Sequence, residues 1–182
     1  MTPEYNLSYP IGKFEDQDLS KSAYDEKIKA NYFLDFQLCP SMLEQAIANL
    51  DEYQLNIPYR EGGWTSKQVI HHVADSHMNA YIRFKLALTE DNPVIKPYNE
   101  VAWAELSDTQ TLPVNISLTL LHALHTRWVA LMKGMAEQDW QRTIFHPEHN
   151  RQIKLWYLLA NYAWHGRHHV AHITTLRERM GW

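Results

Sequence analysis

Four of the chain's eleven histidines, His165, His168, His169 and His172, fall within eight consecutive residues. Histidine can bind a transition metal through a neutral ring nitrogen and can exchange a proton near neutral pH. At about 100° per residue of helix, Asn161, His165, His169, His172 and Leu176 share one stripe. His165 and His169 stand at i and i+4, where imidazoles on adjacent turns can converge on one ion. Such pairs also occur on surfaces and in ordinary cores. Here Leu158, Ile173 and Leu176 flank the stripe, so the rings point inward, where a ring nitrogen must find a partner. A second polar line, His72, Ser76, Asn79 and Arg83, borders an apolar face of Val69, Val73, Ala80 and Phe84, the pattern of a helix beside a buried pocket. His72 supplies a third imidazole. His71 and His77 lie elsewhere around that helix and read as surface or packing residues.

Three neutral imidazoles suit zinc first, with nickel, copper, iron or cobalt as alternatives, better than magnesium or calcium, which prefer oxygen. Three protein ligands leave coordination positions open, the mark of a working site rather than a structural one. Gly166, Arg167 and His168 separate the pair, so the glutamate base of the His-Glu-x-x-His metalloproteases is missing and peptidase chemistry by that route is excluded. Neither a glycine-rich phosphate loop nor a Gly-x-Ser-x-Gly elbow is present. Cys39 stands alone, which rules out an intramolecular disulfide and a thiolate cluster and leaves a small core or surface thiol. The net charge of -4 provides no basic face for nucleic acid. With no signal-peptide pattern at the start and no run of about 20 apolar residues, the expectation is a cytoplasmic chain without a membrane partner.

The 182 residues suffice for one domain with a full core, taken here as residues 1–182. Residues 1–19, with Pro3, Pro10 and Gly12, read as an extended arm. A first helix, capped by Ser20, runs to about residue 50, and Pro40 should kink or split it. Gly62 and Gly63 break the chain before a second helix, where Thr65 and Gln68 form a capping box and the helix ends near Thr89. The stretch 91–115 holds three prolines and a short helical piece around 99–106, a connection long enough to cover a site. A third helix, capped by Asn115 or Ser117, reaches about Ala136. Residues 142–145 and 151–154 can pair as a small hairpin. The fourth helix spans about 156–179 and stops at Gly181. The sum is an all-α four-helix bundle with a long crossover after its second helix and a hairpin before its last, an architecture that places functional groups inside on facing helices.

The segments Leu7-Ser8-Tyr9-Pro10-Ile11-Gly12-Lys13-Phe14, Tyr59-Arg60-Glu61-Gly62-Gly63-Trp64-Thr65, His71-His72-Val73-Ala74-Asp75-Ser76-His77-Met78-Asn79 and Trp164-His165-Gly166-Arg167-His168-His169-Val170-Ala171-His172-Ile173 resemble the YfiT branch of the DinB-like superfamily. The resemblance extends to Tyr81-Ile82-Arg83-Phe84-Lys85 and to the ending Met180-Gly181-Trp182. It implies a four-helix bundle, commonly a homodimer, with a metal held at positions matching His72, His165 and His169. Val170-Ala171-His172 stands where many DinB-like relatives carry Arg-Gly-Gln, and Asn99 where the family segment is often written with Asp.

The resemblance implies a metal-dependent hydrolase, or else a transferase of low-molecular-weight thiols such as bacillithiol or mycothiol. In the first reading metal-activated water attacks a small ester, amide or similar substrate. Ser76, Asn79, Arg83, Tyr98 and Asn161 line its pocket, and His172 is the candidate proton shuttle or support behind the ligands. No carboxylate sits on the histidine stripes, so a base would have to be Asp75 or Glu100 reaching from the side. In the second reading a thiol cofactor takes the place of water, its sulfur ionised at the metal, and Arg83 meets a carboxylate of that cofactor. A third reading is a non-enzymatic metal-stabilised interaction module, which a fourth protein ligand such as His172 or His168 would support. Tyr98 and Trp103 give the long connection an apolar surface to lay over the metal mouth.

Overall fold

Asp25 accepts hydrogen bonds from the amides of Lys27 and Ile28, and this cap starts the first long helix, α1 (Glu26–Ala46). The computed structural model describes residues 6–14 and 24–182, so the expected cap Ser20 lies outside the described residues. Pro40 does not split α1; it only removes one donor from the ladder. After α1 comes a turn of helix not foreseen from sequence, α2 (Glu52–Leu55), closed by an Asp51–Gln54 capping box. The Thr65–Gln68 capping box opens α3 (Ser66–Thr89) with both reciprocal bonds formed. The long connection carries two short helices, α4 (Glu100–Ala104), capped by Asn99, and α5 (Ser107–Thr111). The third long helix, α6 (Val114–Lys133), begins earlier than the expected Asn115 or Ser117 cap. Pro113 takes the cap position without a side-chain bond, and Ser117 instead hydrogen-bonds His71 at 2.7 Å. A 3-10 turn (Glu137–Gln141) leads to the hairpin β1 (Thr143–His146) and β2 (Arg151–Lys154), antiparallel with Ile144 opposite Ile153. The last helix, α7 (Leu155–Met180), ends on Gly181 at φ 71, a left-handed stop that costs glycine no steric clash.

α1 packs against α6 and α7, and α3 packs against the same two. The consecutive long helices α1 and α3 are therefore diagonal across the bundle, and so are α6 and α7. Gly166 permits a close approach of α7 to α1: a Cβ there would fall 2.6 Å from Cys39 Sγ. One apolar zone gathers Phe84, Trp128, Trp140 and Trp156. The other gathers Leu43, Val69, Ile70, Val73, Leu121 and Ile173. Residues 6–14 of the arm form successive turns rather than an extended strand, with Tyr9 N–H donating to Asn6 O and Gly12 N–H to Tyr9 O, both at 2.9 Å. Phe14 packs on Tyr157 and Trp164 of α7. No helix among the described residues is long and apolar enough to cross a membrane.

Candidate metal centre

The i,i+4 spacing on α7 places His165 Nε2 and His169 Nε2 3.2 Å apart, and α3 brings His72 Nε2 to 3.4 Å from His165 Nε2. The three rings offer ligand atoms that all lie within 4.8 Å of one another. Two imidazoles on a tetrahedral ion with metal–nitrogen bonds of 2.0–2.1 Å stand about 3.3 Å apart, and the His165–His169 and His72–His165 separations match that value. The trio is buried except where His165 opens to a cavity. Burial pushes the His72 pKa down to about 4, helped by His172. It drives His165 and His169 well below the ordinary range, with the neighbouring histidines adding to the effect. All three therefore hold the neutral form that a metal ligand needs.

The cavity, about 490 Å³, opens beside the trio. Ser76, Arg83, Tyr98 and Asn161 line it, as do Glu100, Tyr162 and His168. Tyr98 is raised by burial and its hydroxyl meets Ser76. Pro97, Tyr98 and Glu100 bring the long connection to the cavity wall, while Trp103, expected beside Tyr98 over the metal mouth, packs on the Tyr98 ring at 4.5 Å without lining the cavity. Asn79 differs from expectation: its amide donates back to the Asp75 carbonyl at 2.9 Å and it is not among the lining residues. Asp75 is also away from the lining; burial and Asp108 raise its carboxyl to about 6. His172 sits behind the trio, its Nδ1 3.4 Å from His169 Nδ1 and its Nε2 donating to Ser8 O at 3.4 Å. His168 lines the cavity and stacks on Trp164, outside the converging trio.

The fold adds residues that helical periodicity did not single out. The hairpin carries His146, Glu148 and His149 to the cavity wall. It is held there by Phe145 N–H donating to Pro93 O at 2.9 Å and Ile95 N–H to Phe145 O at 3.1 Å. His71 is not a surface residue: it is buried between Ser117 and the Leu112 carbonyl. His77 is fully buried, with Nε2 3.2 Å from His165 Nδ1 and Nδ1 2.8 Å from His125 Nε2. Neither partner was visible from spacing along one helix, because each comes from a different one.

Three comparisons bear on this arrangement. The profile of the DinB superfamily matches residues 35–173. A Bacillus cereus protein, named provisionally as a metal-dependent hydrolase, is 51% identical over 177 residues, covering 97% of this chain and 99% of its own. YfiT of Bacillus subtilis, named in the same way, is 48% identical over 178 residues, 97% of each chain. A solved structure of Bacillus subtilis YfiT superposes with a TM-score of 0.92 at 46% identity, covering 97% of this chain and 99% of that one. It is described as a "probable metal-dependent hydrolase with an unusual four-helix bundle topology".

Proposed function

The chain belongs to the DinB superfamily, and on that premise we propose that it is a metal-dependent hydrolase whose divalent ion is held by His72, His165 and His169. The observation that carries this reading is the convergence of three neutral Nε2 atoms at 3.2 and 3.4 Å on the wall of a cavity. The donor set suits zinc first and nickel second. Such an ion, when bound, supplies Lewis acidity and water whose pKa is lowered toward about 7.

The chain's own residues then bind and orient. Arg83 is half-buried on the cavity wall, and among the described residues no carboxylate pairs with it. Its guanidinium meets the Tyr162 hydroxyl, and its remaining donors suit a carboxylate or similar anionic group of the substrate. Ser76, Tyr98 and Asn161 offer hydrogen bonds between Arg83 and the trio. Tyr98, backed by Trp103, covers that side of the cavity. Glu100 and Glu148, both exposed on the cavity lining, are the carboxylates available to take up a proton. The substrate class is a small ester or amide bearing a negative charge.

The test is metal analysis of the purified protein coupled to hydrolysis of carboxylate-bearing aryl esters and amides. Stoichiometric metal, activity lost on chelation and activity regained with zinc are expected. Hydrolysis that persists undiminished in metal-free His165→Ala would sink the reading.

One observation favours a second reading, a thiol S-transferase. The two carboxylates lining the cavity, Glu100 and Glu148, are both exposed, and neither hydrogen-bonds the trio. A low-molecular-weight thiol needs a weaker base than water does. Its proton passes to solvent, its sulfur bonds to an electrophilic carbon, and that carbon's leaving group departs with the bonding pair. Conversion of chlorodinitrobenzene or an epoxide only when thiol is present would select this reading over hydrolysis.

A further inference from the structure

Proline has no N–H to give to a helix. Pro40 stands four residues after Phe36 in α1, so the Phe36 carbonyl lacks its ordinary helical partner. That carbonyl faces His125 Nδ1 of α6 at 2.8 Å. A carbonyl can only accept, so the proton of the neutral His125 ring is on Nδ1 and its Nε2 is an acceptor. His125 Nε2 lies 2.8 Å from His77 Nδ1 of α3, which must therefore donate. His77 Nε2 is then an acceptor, and 3.2 Å away His165 Nδ1 of α7 donates to it. The chain of contacts runs through all four long helices and ends with the His165 proton on Nδ1.

We infer that His77 and His125 are positioning residues that act through His165, forming a hydrogen-bonded relay, anchored on the Phe36 carbonyl, that keeps the His165 Nε2 lone pair bare and aimed at the ion site. The inference rests on the metal reading for its purpose, though not for its geometry. Any other placement of the protons sets two N–H groups or two lone pairs face to face, or leaves the Phe36 carbonyl unpaired in the core. His77 is inaccessible and His125 is 3% exposed, so water offers no alternative partner. Burial also disfavours the imidazolium of both rings. The rings are fixed from the side as well: Phe36 stacks on His125 at 4.2 Å, and His77 stacks on His125 at 5.0 Å. His169 is supported in a parallel, looser way by His172 and the Ser8 carbonyl, with both contacts at 3.4 Å. Ligand histidines commonly donate their second nitrogen to a carbonyl or carboxylate; here two further imidazoles stand between ligand and carbonyl.

Cys39 Sγ lies within 4.8 Å of a ring nitrogen of both His77 and His125, which raises the alternative of a second ion. The 2.8 Å separation of the two nitrogens is shorter than the about 3.3 Å required of two imidazoles on one tetrahedral ion. Burial raises the Cys39 thiol to about 12 and so opposes the thiolate.

The experiment combines long-range proton–nitrogen NMR of the imidazoles in metal-free protein with zinc titration of wild type, His77→Phe, His125→Phe and His77→Gln. Wild type should show His165 protonated on Nδ1 and bare on Nε2. In His77→Phe this signature should be lost and the zinc Kd should rise about 10–100-fold. His125→Phe, one ring farther and still able to stack on Phe36, should give a smaller rise. His77→Gln, whose amide can both accept and donate, should recover part of the affinity. A wild-type His165 protonated on Nε2, or unaltered zinc affinity in folded His77→Phe, would overturn the relay. So would a thiolate charge-transfer band in the cobalt-loaded protein that disappears in Cys39→Ser. If wild type binds no zinc, the metal reading fails by itself, while the NMR signature still decides the relay.

Discussion

Acidifying the metal-free protein should destabilise it steeply between pH 7 and 5, well before most carboxylates titrate. His72 and His125 are held near 4, chiefly by burial, against about 6.5 in an unfolded chain. The folded value lies below the unfolded one, so the unfolded chain takes up protons first. Their contribution is therefore intact above about pH 7 and declines as the pH falls from 6.5 toward 4. From pH 7 to pH 5 each of the two loses about 2 kcal/mol, about 4 kcal/mol together. His77, His165 and His169, pushed well below their usual value by burial, add in the same direction. Asp75 works oppositely, since its raised pKa near 6 favours the folded state on acidification. It is only half-buried, and after solvent screening it offsets less than about 1 kcal/mol. Against a typical stability of about 5–15 kcal/mol, the net loss is a large fraction. The assay is urea unfolding with chelator at pH 7, 6 and 5, followed by tryptophan fluorescence. With a slope of about 2 kcal/mol/M, the midpoint should fall by at least about 1.5 M across that range. A shift below about 0.5 M would refute the argument that these rings are buried and neutral.

Ala at His165 or His169 should remove most bound metal, because two imidazoles rarely hold an ion tightly, whereas His71→Ala should keep metal content and lose stability through the orphaned Ser117 hydroxyl; elemental analysis and melting curves separate the two outcomes. Zinc affinity of the folded protein should stay nearly level from pH 8 to 5 and weaken only as the pH approaches 4, where His72 begins to take up a proton; titration calorimetry showing a steep loss through pH 6.5 while the protein remains folded would contradict buried, neutral ligands. Gly166→Ala should cost about 1–3 kcal/mol by forcing Cys39 Sγ away from a methyl built 2.6 Å from it, measurable by urea unfolding and relieved in part by Cys39→Ala. Tyr98→Ala and Trp103→Ala should change turnover or ligand affinity with metal content and melting temperature nearly unaltered; equal losses of stability and activity would mean the connection serves packing alone.

Much of the bundle was legible along the chain because helices declare themselves locally. The Thr65–Gln68 capping box, the 3.6-residue period of α3 and α7 and the left-handed stop at Gly181 each depend on residues within a turn or two. The grouping of His72 with His165 and His169 was legible for the same reason: each helix marks its own inward stripe, and facing stripes meet in a bundle. Where neighbours compete, local signals were weaker, as at α6, which starts at Val114 behind Pro113 while Ser117 turns to His71 instead of capping. The sequence also could not show that α1 and α3 would lie diagonally, since amphipathic faces specify burial without specifying a partner. Only the tertiary structure decided that the hairpin would bring His146 and His149 to the cavity, that Asn79 would turn back on its own helix, and that a carbonyl freed by Pro40 would meet His125. His77 read as a surface or packing residue because its partners come from α6 and α7, and a hydrogen bond between helices leaves no period in either one. The three converging imidazoles are thus written on individual helices, while the contact that His165 Nδ1 makes with His77 is set by the packing of four.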